Sequence, residues 1–98
     1  MNILQEKNGT ELAIALEGRL DTMTAPELEA ALKDAFEGVE TLVFDLEKLD
    51  YISSAGLRVL LSAQKTMNRQ GNMKVTHANE IVREIFDVTG FADILRIE

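Results

Sequence analysis

The first part of the chain alternates between hydrophobic and polar or small residues. In the segment Leu12–Leu16 every second residue is a leucine or an isoleucine, and this period of two predicts a strand with one buried face. Asn8-Gly9 comes just before it and favours a tight turn, because both residues tolerate positive φ. The shorter run Ile3–Glu6 is therefore the expected antiparallel partner in an opening hairpin, and Gly18–Met23 is expected to form a loop after it.

A first segment with helical spacing begins at Thr24. Glu27 stands three residues further on, as in a capping box, and Pro26 lies in the first turn, where its missing N–H costs little. Apolar residues recur at intervals of three and four, which predicts an amphipathic helix ending near Gly38. Its apolar stripe comprises Leu28, Ala31, Leu32, Ala35 and Phe36.

The second predicted helix runs from Ala55 to about Gln70, and Gly71 can end it. Its spacing separates a broad apolar side from a polar stripe. The residues expected to be buried are Leu57, Val59, Leu60, Leu61, Ala63 and Met67. The exposed stripe is mostly basic and contains Arg58, Ser62, Lys65 and Arg69.

A third helix is predicted between a capping residue, Asn79, and a terminating glycine, Gly90. Its expected core face consists of Ile81, Val82, Ile85 and Phe86.

The remaining apolar runs predict strands. Val39–Leu46 is almost continuously apolar, which favours a central strand covered on both faces. Asn72–His77 and a short last strand, Asp93–Ile97, follow the later helices. The order β-β-α-β-α-β-α-(β) predicts an α/β fold, because helical crossovers join parallel strands. We expect a small mixed sheet of four to five strands packed with three or more helices.

Composition narrows the possible functions. A chain of 98 residues with 46% apolar content predicts one domain with one core. There is no cysteine, no apolar run long enough to span a bilayer and no signal-peptide pattern at the N-terminus, so we expect a cytoplasmic protein. The net charge of −7 disfavours nucleic acid and anionic membrane surfaces as partners.

The chemistry of the chain is concentrated in the stretch Asp50–Arg58, where a buried strand gives way to a helix. Ser53 and Ser54 are adjacent hydroxyls at this junction. A helix start has unpaired N–H groups and a partial positive charge, so a serine there can cap the helix, hold an anion or accept a phosphate. From the residues alone, capping is the simplest interpretation, and a turn-forming role is the simplest one for Asp21.

Enzymatic chemistry finds little support in the sequence. A nucleophilic Ser54 would need a base, and His77 is the only histidine, with no candidate metal ligands near it in sequence. The serine context is not the Gly-x-Ser-x-Gly elbow, and no glycine-rich phosphate loop occurs. We therefore expect a binding module with no catalytic residue, no metal and no cofactor.

Two motifs give the chain a resemblance to a known family. Val43–Leu46 followed by Tyr51–Leu57 resembles the signature of STAS domains, and Gly18–Asp21 with Thr24-Ala25 resembles the upstream motif of the same family. The resemblance covers essentially the whole chain, 1–98, as a single STAS domain. The bacterial anti-sigma factor antagonists are the subfamily that it resembles most.

This resemblance implies a mechanism called partner switching. An anti-sigma factor that is also a serine kinase of the histidine-kinase-like ATPase type binds the unmodified antagonist, and the sigma factor is released. The kinase then phosphorylates a serine and the complex dissociates, until a metal-dependent serine phosphatase restores the antagonist. The free protein is expected to be a monomer, and we expect acidic residues at the same edge, namely Asp21, Asp45, Glu47 and Asp50.

The family motif Asp-Ser-x-Gly, laid on this chain, makes Ser54 the phosphoacceptor and Ser53 the second choice. Ser53 occupies the position at which most members have the aspartate. Ala55 occupies the position at which some members carry the acceptor, and Arg58 the position at which many members have a glycine. The partner-binding residues implied by the resemblance are Asp21, Ser53, Ser54, Ala55, Gly56, Leu57 and Arg58.

Two alternatives within the same family use no phosphate. Some stand-alone STAS domains bind the ATPase subunit of a lipid-transport ABC system, and others build scaffolds of sensory complexes. Either would use the same helix face, so the identity of the partner separates them from an antagonist.

Overall fold

The computed structural model describes residues 1–98 and contains one sheet, three α-helices and a short 3-10 helix. The elements are β1 (Asn2–Asn8), β2 (Glu11–Leu20), α1 (Ala25–Leu32), β3 (Thr41–Ile52), α2 (Ser54–Asn68), β4 (Asn72–Thr76), α3 (Glu80–Thr89) and the 3-10 helix Phe91–Asp93. The sheet order is β1-β2-β3-β4. The first pair is antiparallel and the other two are parallel, so the predicted α/β fold with a mixed sheet is confirmed.

The opening hairpin forms as predicted. Asn8 pairs with Glu11, which leaves Gly9 and Thr10 as the two residues of the turn. Gly9 has a φ of 62°, a conformation that glycine adopts at little cost. The turn is therefore one residue later than the Asn-Gly pattern suggests.

Strand β2 is longer than its period of two predicts. The segment Gly18–Leu20, expected to be a loop, continues the strand to the pair Leu20–Ile52. The pairing register shifts between Ala15 and Glu17 and again after Gly18, which has a φ of 104°. Such irregularities interrupt the alternation of side chains while the backbone pairing goes on, and this is why the sequence pattern ends too early.

Strand β3 corrects a second prediction, because only one of its faces is covered. Leu42, Phe44 and Leu46 are fully buried, whereas the residues between them are half-buried. The strand also continues past Leu46 to Ile52. Its buried residues belong to a core of 24 side chains that includes residues from all three helices, so the helices share one face of the sheet and the other face is open.

The helices follow their predicted spacing with three differences. Helix α1 ends at Leu32, and Ala35 and Phe36 reach the core from the turns that follow. Ile81, expected on the core face of α3, is 58% exposed, because Val82 and Phe86 already fill the contact with the sheet. Leu61 in α2 is half-buried. Asn79 and Gly90 cap α3 as predicted.

The predicted last strand is reduced to a single parallel bridge between Val75 and Ile97, preceded by the 3-10 helix. No helix in the structure combines the length and the apolar character needed to cross a membrane.

The strand order places the candidate site at one edge of the sheet. Strands β2 and β3 end side by side there, and helices α1 and α2 begin at the same edge.

Candidate functional site at the start of helix α2

The backbone around Ser53 joins three elements. The amide of Ser53 donates a hydrogen bond to the carbonyl oxygen of Leu20 at 2.8 Å, so the ends of β2 and β3 stay together after the last strand pair. Ser53 itself is extended, with φ −97° and ψ 175°, and α2 begins with the next residue. This geometry fixes where the first turn of α2 starts.

The two serines have different environments. The side-chain oxygen of Ser53 accepts a hydrogen bond from the amide of Gly56 at 3.4 Å, which makes Ser53 the N-cap. Ser53 is half-buried, whereas Ser54, the first residue of the helix, is exposed. The capping role weighed for both serines in the sequence therefore falls on Ser53, and the Ser54 hydroxyl is accessible to a reagent or a partner.

Gly56 and Leu57 lie beneath this surface, which corrects their expected place in a partner-binding face. A Cβ atom added to Gly56 would come within 2.6 Å of Leu20 Cγ and 2.9 Å of Ile52 Cγ1. Leu57 is only 3% exposed and belongs to the core. These two residues hold the first turn of α2 against the strand ends and support the exposed residues above them.

Asp21 organises the start of the neighbouring helix α1. Its Oδ1 accepts hydrogen bonds from the amides of Met23 at 3.0 Å and Thr24 at 3.1 Å. The Thr24 hydroxyl donates to the carbonyl oxygen of Arg19 at 2.7 Å, and its oxygen accepts from the amide of Asp21 at 2.8 Å. Thr24 makes no side-chain bond that caps α1, so the predicted capping box with Glu27 is wrong.

The same contacts set the ionisation of Asp21. The hydrogen bond from the Thr24 amide, reinforced by that from Met23 and by the nearby Arg19, holds the pKa of the Asp21 carboxyl below its ordinary value. Arg19 lies 3.7 Å from the carboxylate through Nε, and its guanidinium carbon sits 4.6 Å from the centre of the Tyr51 ring. A negative charge is thus kept next to the end of β2, whose last residue, Leu20, accepts the hydrogen bond from the Ser53 amide.

A groove runs between α1 and α2 next to the serines. It has a volume of about 870 Å³ and is lined by Ala55 and Arg58 from the first turns of α2, with Pro26 and Glu29 on the α1 side. Ala55 is half-buried and Arg58 is exposed. Of the seven residues expected in the partner surface, five are therefore at least partly accessible: Asp21, Ser53, Ser54, Ala55 and Arg58.

Two of the acidic residues expected at this edge lie elsewhere. Asp45, near the middle of β3, pairs in register with Ala15 and with Thr76, the last residue of β4. It lies on the open face of the sheet, and its Oδ1 is 3.1 Å from Nδ1 of His77. With Glu47 they form a group whose potential metal-ligand atoms lie within 4.8 Å of one another. The sequence did not indicate this group, because 32 residues separate Asp45 from His77.

Comparisons with known proteins agree with this architecture. The chain is 36% identical, over 99% of its length and 85% of the relative's, to a protein of Bordetella bronchiseptica that is provisionally named anti-sigma factor antagonist BtrV. It is 29% identical to the anti-sigma-B factor antagonist of Bacillus subtilis, over 99% of this chain and 90% of that one.

Solved structures show the same fold. The anti-sigma factor antagonist SpoIIAA in its unphosphorylated form superimposes with a TM-score of 0.85 at 21% identity, covering 99% of this chain and 88% of that one. The phosphorylated form of SpoIIAA, from Bacillus, superimposes with a TM-score of 0.76, also at 21% identity, over 99% and 91% of the two chains. The STAS domain family matches residues 2–98 of the sequence, and the chain therefore belongs to the STAS family.

Proposed function

We propose that this chain is an anti-sigma factor antagonist that works by partner switching, with Ser54 as the phosphoacceptor. Unmodified, it binds an anti-sigma factor serine kinase through the start of α2 and the adjoining loop at Asp21, and so releases a sigma factor. The relatives named as antagonists over nearly the full chain support this assignment. The chain acts as a single cytoplasmic binding domain, monomeric when free, and the kinase supplies the catalysis.

The observation that carries the proposal is the exposure of Ser54 at the first position of α2. The neighbouring Ser53 is half-buried and its oxygen already accepts the Gly56 amide, so its modification would disturb the cap. A reagent can reach the Ser54 hydroxyl without moving a strand or the core. In the transfer step the Ser54 Oγ–P bond forms, the bond between the γ-phosphorus and the β–γ bridging oxygen of ATP breaks with ADP as the leaving group, and the hydroxyl proton passes to a basic group of the kinase.

The consequence of this step is electrostatic. A phosphoserine adds about −1.5 to −2 charges near neutral pH, at an edge where Asp21 already keeps a negative charge. The start of α2 partly compensates the new charge, because its free N–H groups point toward it, so the fold is retained. An acidic surface on the kinase is repelled, and a loss of about 3 kcal/mol weakens the complex roughly a hundredfold.

A metal-dependent serine phosphatase completes the cycle by hydrolysing the Ser54 phosphate ester. The exposed position of Ser54 supports this step as well, since the phosphatase needs access to the same oxygen.

The test uses the anti-sigma factor kinase encoded nearest to this chain, incubated with the chain and ATP. We expect intact-mass spectrometry to show one added phosphate, peptide mapping to place it on Ser54, and gel filtration to show the complex dissociating. Ser54→Ala should bind the kinase and remain unphosphorylated, while Ser53→Ala, the matched control, should still accept one phosphate. A phosphate on Ser53 would reassign the acceptor, and a stable complex that accepts none would overturn partner switching.

A further inference from the structure

Arg58 stands one helical turn after Ser54 on the same side of α2. Residues at i and i+4 on a helix are neighbours on its surface, with Cβ atoms about 5–6 Å apart. Both residues are exposed, and neither is needed to fill the core. An acidic group placed before a basic one at this spacing is the favourable order, because it also matches the helix dipole.

The Arg58 guanidinium has no ionic partner within the unmodified chain. The five ion pairs of the structure join Arg19 to Asp21, Lys48 to Glu17, Lys74 to Glu98, His77 to Asp45 and Arg96 to Glu98. Arg58 takes part in none of them and is one of the residues that line the groove between α1 and α2. It can therefore turn toward a new anion without breaking an ion pair.

We propose that Arg58 is the positioning residue for a phosphoryl group on Ser54, and that it holds this group as the dianion at neutral pH. The inference rests on the proposed function, since it concerns the modified form of the same serine. A guanidinium donates two parallel hydrogen bonds to phosphate oxygens, which a lysine ammonium cannot do with the same geometry.

The first turn of α2 contains no acidic side chain, so the phosphate would be the only negative group there. Other charged residues around this end of the molecule are Arg19 and Asp21 from the end of β2 and the following loop, Asp50 from β3, and Glu29 and Lys33 from α1. Arg19 already pairs with Asp21. Arg58 is thus the basic residue that is both one turn from Ser54 and unpaired.

The expected effect concerns the second ionisation of the phosphate, whose pKa is about 6 in an unperturbed phosphoserine. A nearby positive charge favours the more highly charged form and lowers that pKa. At pH 6 to 7 the contact therefore increases the fraction of dianion, which is the form that most strongly repels an acidic partner surface. Arg58 would thereby raise the share of the phosphorylated chain that carries the dianion, most strongly near pH 6.

The test installs phosphoserine at position 54 by codon expansion, without any kinase, and follows its ³¹P resonance between pH 4 and 8. We expect the titration midpoint of Arg58→Ala to lie about half a pH unit above that of the unsubstituted phosphoprotein. Lys65→Ala, which removes the same charge from an exposed site farther along α2, is the matched control and should leave the midpoint unchanged. The midpoint of Arg58→Lys should lie between that of the unsubstituted phosphoprotein and that of Arg58→Ala.

Equal midpoints in the unsubstituted phosphoprotein and Arg58→Ala would overturn the inference, as would an equal rise in Lys65→Ala, which would indicate a general charge effect. Circular dichroism of each variant checks that the exposed substitution leaves the helix intact. Because the phosphate is introduced without a kinase, this result is independent of whether the kinase modifies Ser54, and the two proposals can fail separately.

Discussion

The two helices that begin at the same edge of the sheet are held at their first turns in different ways. At α1, the Asp21 carboxylate accepts two backbone amides and the Thr24 hydroxyl joins two backbone groups, with distances of 2.7 to 3.1 Å. At α2, one neutral serine oxygen accepts one amide at 3.4 Å, and no acidic residue lies in the first turn. The carboxylate of Asp21 thus lies at the start of α1, whereas the first turn of α2 has no acidic group and would gain negative charge only through the proposed phosphorylation of Ser54.

This difference depends on Ser53, which caps α2 without adding a charge. Ser53 is a neutral cap at the position where the motif that this chain resembles usually has an aspartate. A phosphate on the next residue would therefore change the charge in the first turn of α2 from none to about −1.5 to −2. With a carboxylate at position 53, the start of α2 would already be negative before phosphorylation, and the same phosphate would change its charge by a smaller proportion. The contrast between the two helix starts can be tested by substitutions that affect one and leave the other alone.

The largest expected effect is at the close approach beneath α2. Gly56→Ala should destabilise the fold by about 2 kcal/mol, because overpacking a filled contact costs about 1–3 kcal/mol and the new Cβ would lie 2.6 Å from Leu20 Cγ. Urea unfolding measures the change. Adding Leu20→Ala removes two of the three nearest obstructing atoms and leaves Ile52 Cγ1 at 2.9 Å. The double variant should therefore lose less stability than the sum of the single ones, and strict additivity would contradict a direct clash with Leu20.

The next effect is at α1. Thr24→Val keeps the shape of the side chain but removes its bonds to Arg19 and Asp21. We expect a loss of about 1–2 kcal/mol in the free energy of unfolding, since two hydrogen bonds are lost at a half-buried position. Thr66→Val, whose hydroxyl contacts the Ser62 carbonyl within α2, is a control with a smaller expected loss. Equal losses in the two variants would show that the hydrogen bonds of Thr24 stabilise the fold no more than the single hydrogen bond of Thr66.

The cap of α2 should be weaker. Ser53→Ala removes one long hydrogen bond, and we expect a loss of about 0.5–1 kcal/mol, at the lower end for N-cap substitutions. Ser53→Asp should recover it and add a favourable interaction with the helix dipole. If Ser53→Ala cost more than Thr24→Val, the ranking of the two helix starts would be wrong.

The charge at the start of α1 predicts a dependence on pH. The pKa of Asp21 is lowered in the folded state, so its contribution to stability is present above the unfolded value of about 4 and is lost as the pH falls through the folded value. Asp21→Asn keeps a side-chain oxygen but does not titrate. Urea midpoints measured from pH 7 downward should show the difference between the two proteins shrinking in acid, and a constant difference would refute this role.

The smallest effect on stability is expected at Ser54. Because its side chain is exposed and the capping oxygen belongs to Ser53, Ser54→Ala should change the free energy of unfolding by less than about 0.5 kcal/mol. Thermal unfolding of Ser54→Ala and of Ser53→Ala, measured under the same conditions, compares the two losses of stability. A loss at Ser54 as large as that at Ser53 would mean that the proposed acceptor also has a structural role.

Local patterns predicted much of the fold. The spacing of apolar residues located the hairpin and all three helices, and Asn79 and Gly90 marked the ends of α3 correctly. The prediction that β3 is covered on both faces was wrong, because Val43 lies on the open side of the sheet. A continuous apolar run does not distinguish a strand with one covered face from a strand with two. The extension of β2 was missed because irregular pairing breaks the alternation on which the prediction depends.

The candidate site was less predictable than the fold. The Ser53-Ser54 pair could be located from the sequence, but the division of roles between them depends on which oxygen reaches the Gly56 amide. The burial of Gly56 against Leu20 joins residues far apart in the chain, as does the contact between Asp45 and His77. Such contacts depend on strand order and register, which local sequence patterns do not contain.

The central claim is that a phosphate on Ser54 changes which partner the chain can bind. The most direct test is isothermal titration of the anti-sigma factor kinase encoded nearest to this chain with the unmodified chain and with the chain carrying phosphoserine at position 54. We expect a tight complex with the unmodified chain and an affinity roughly a hundredfold weaker, about 3 kcal/mol, for the phosphorylated one. Equal affinities for the two forms would contradict the claim.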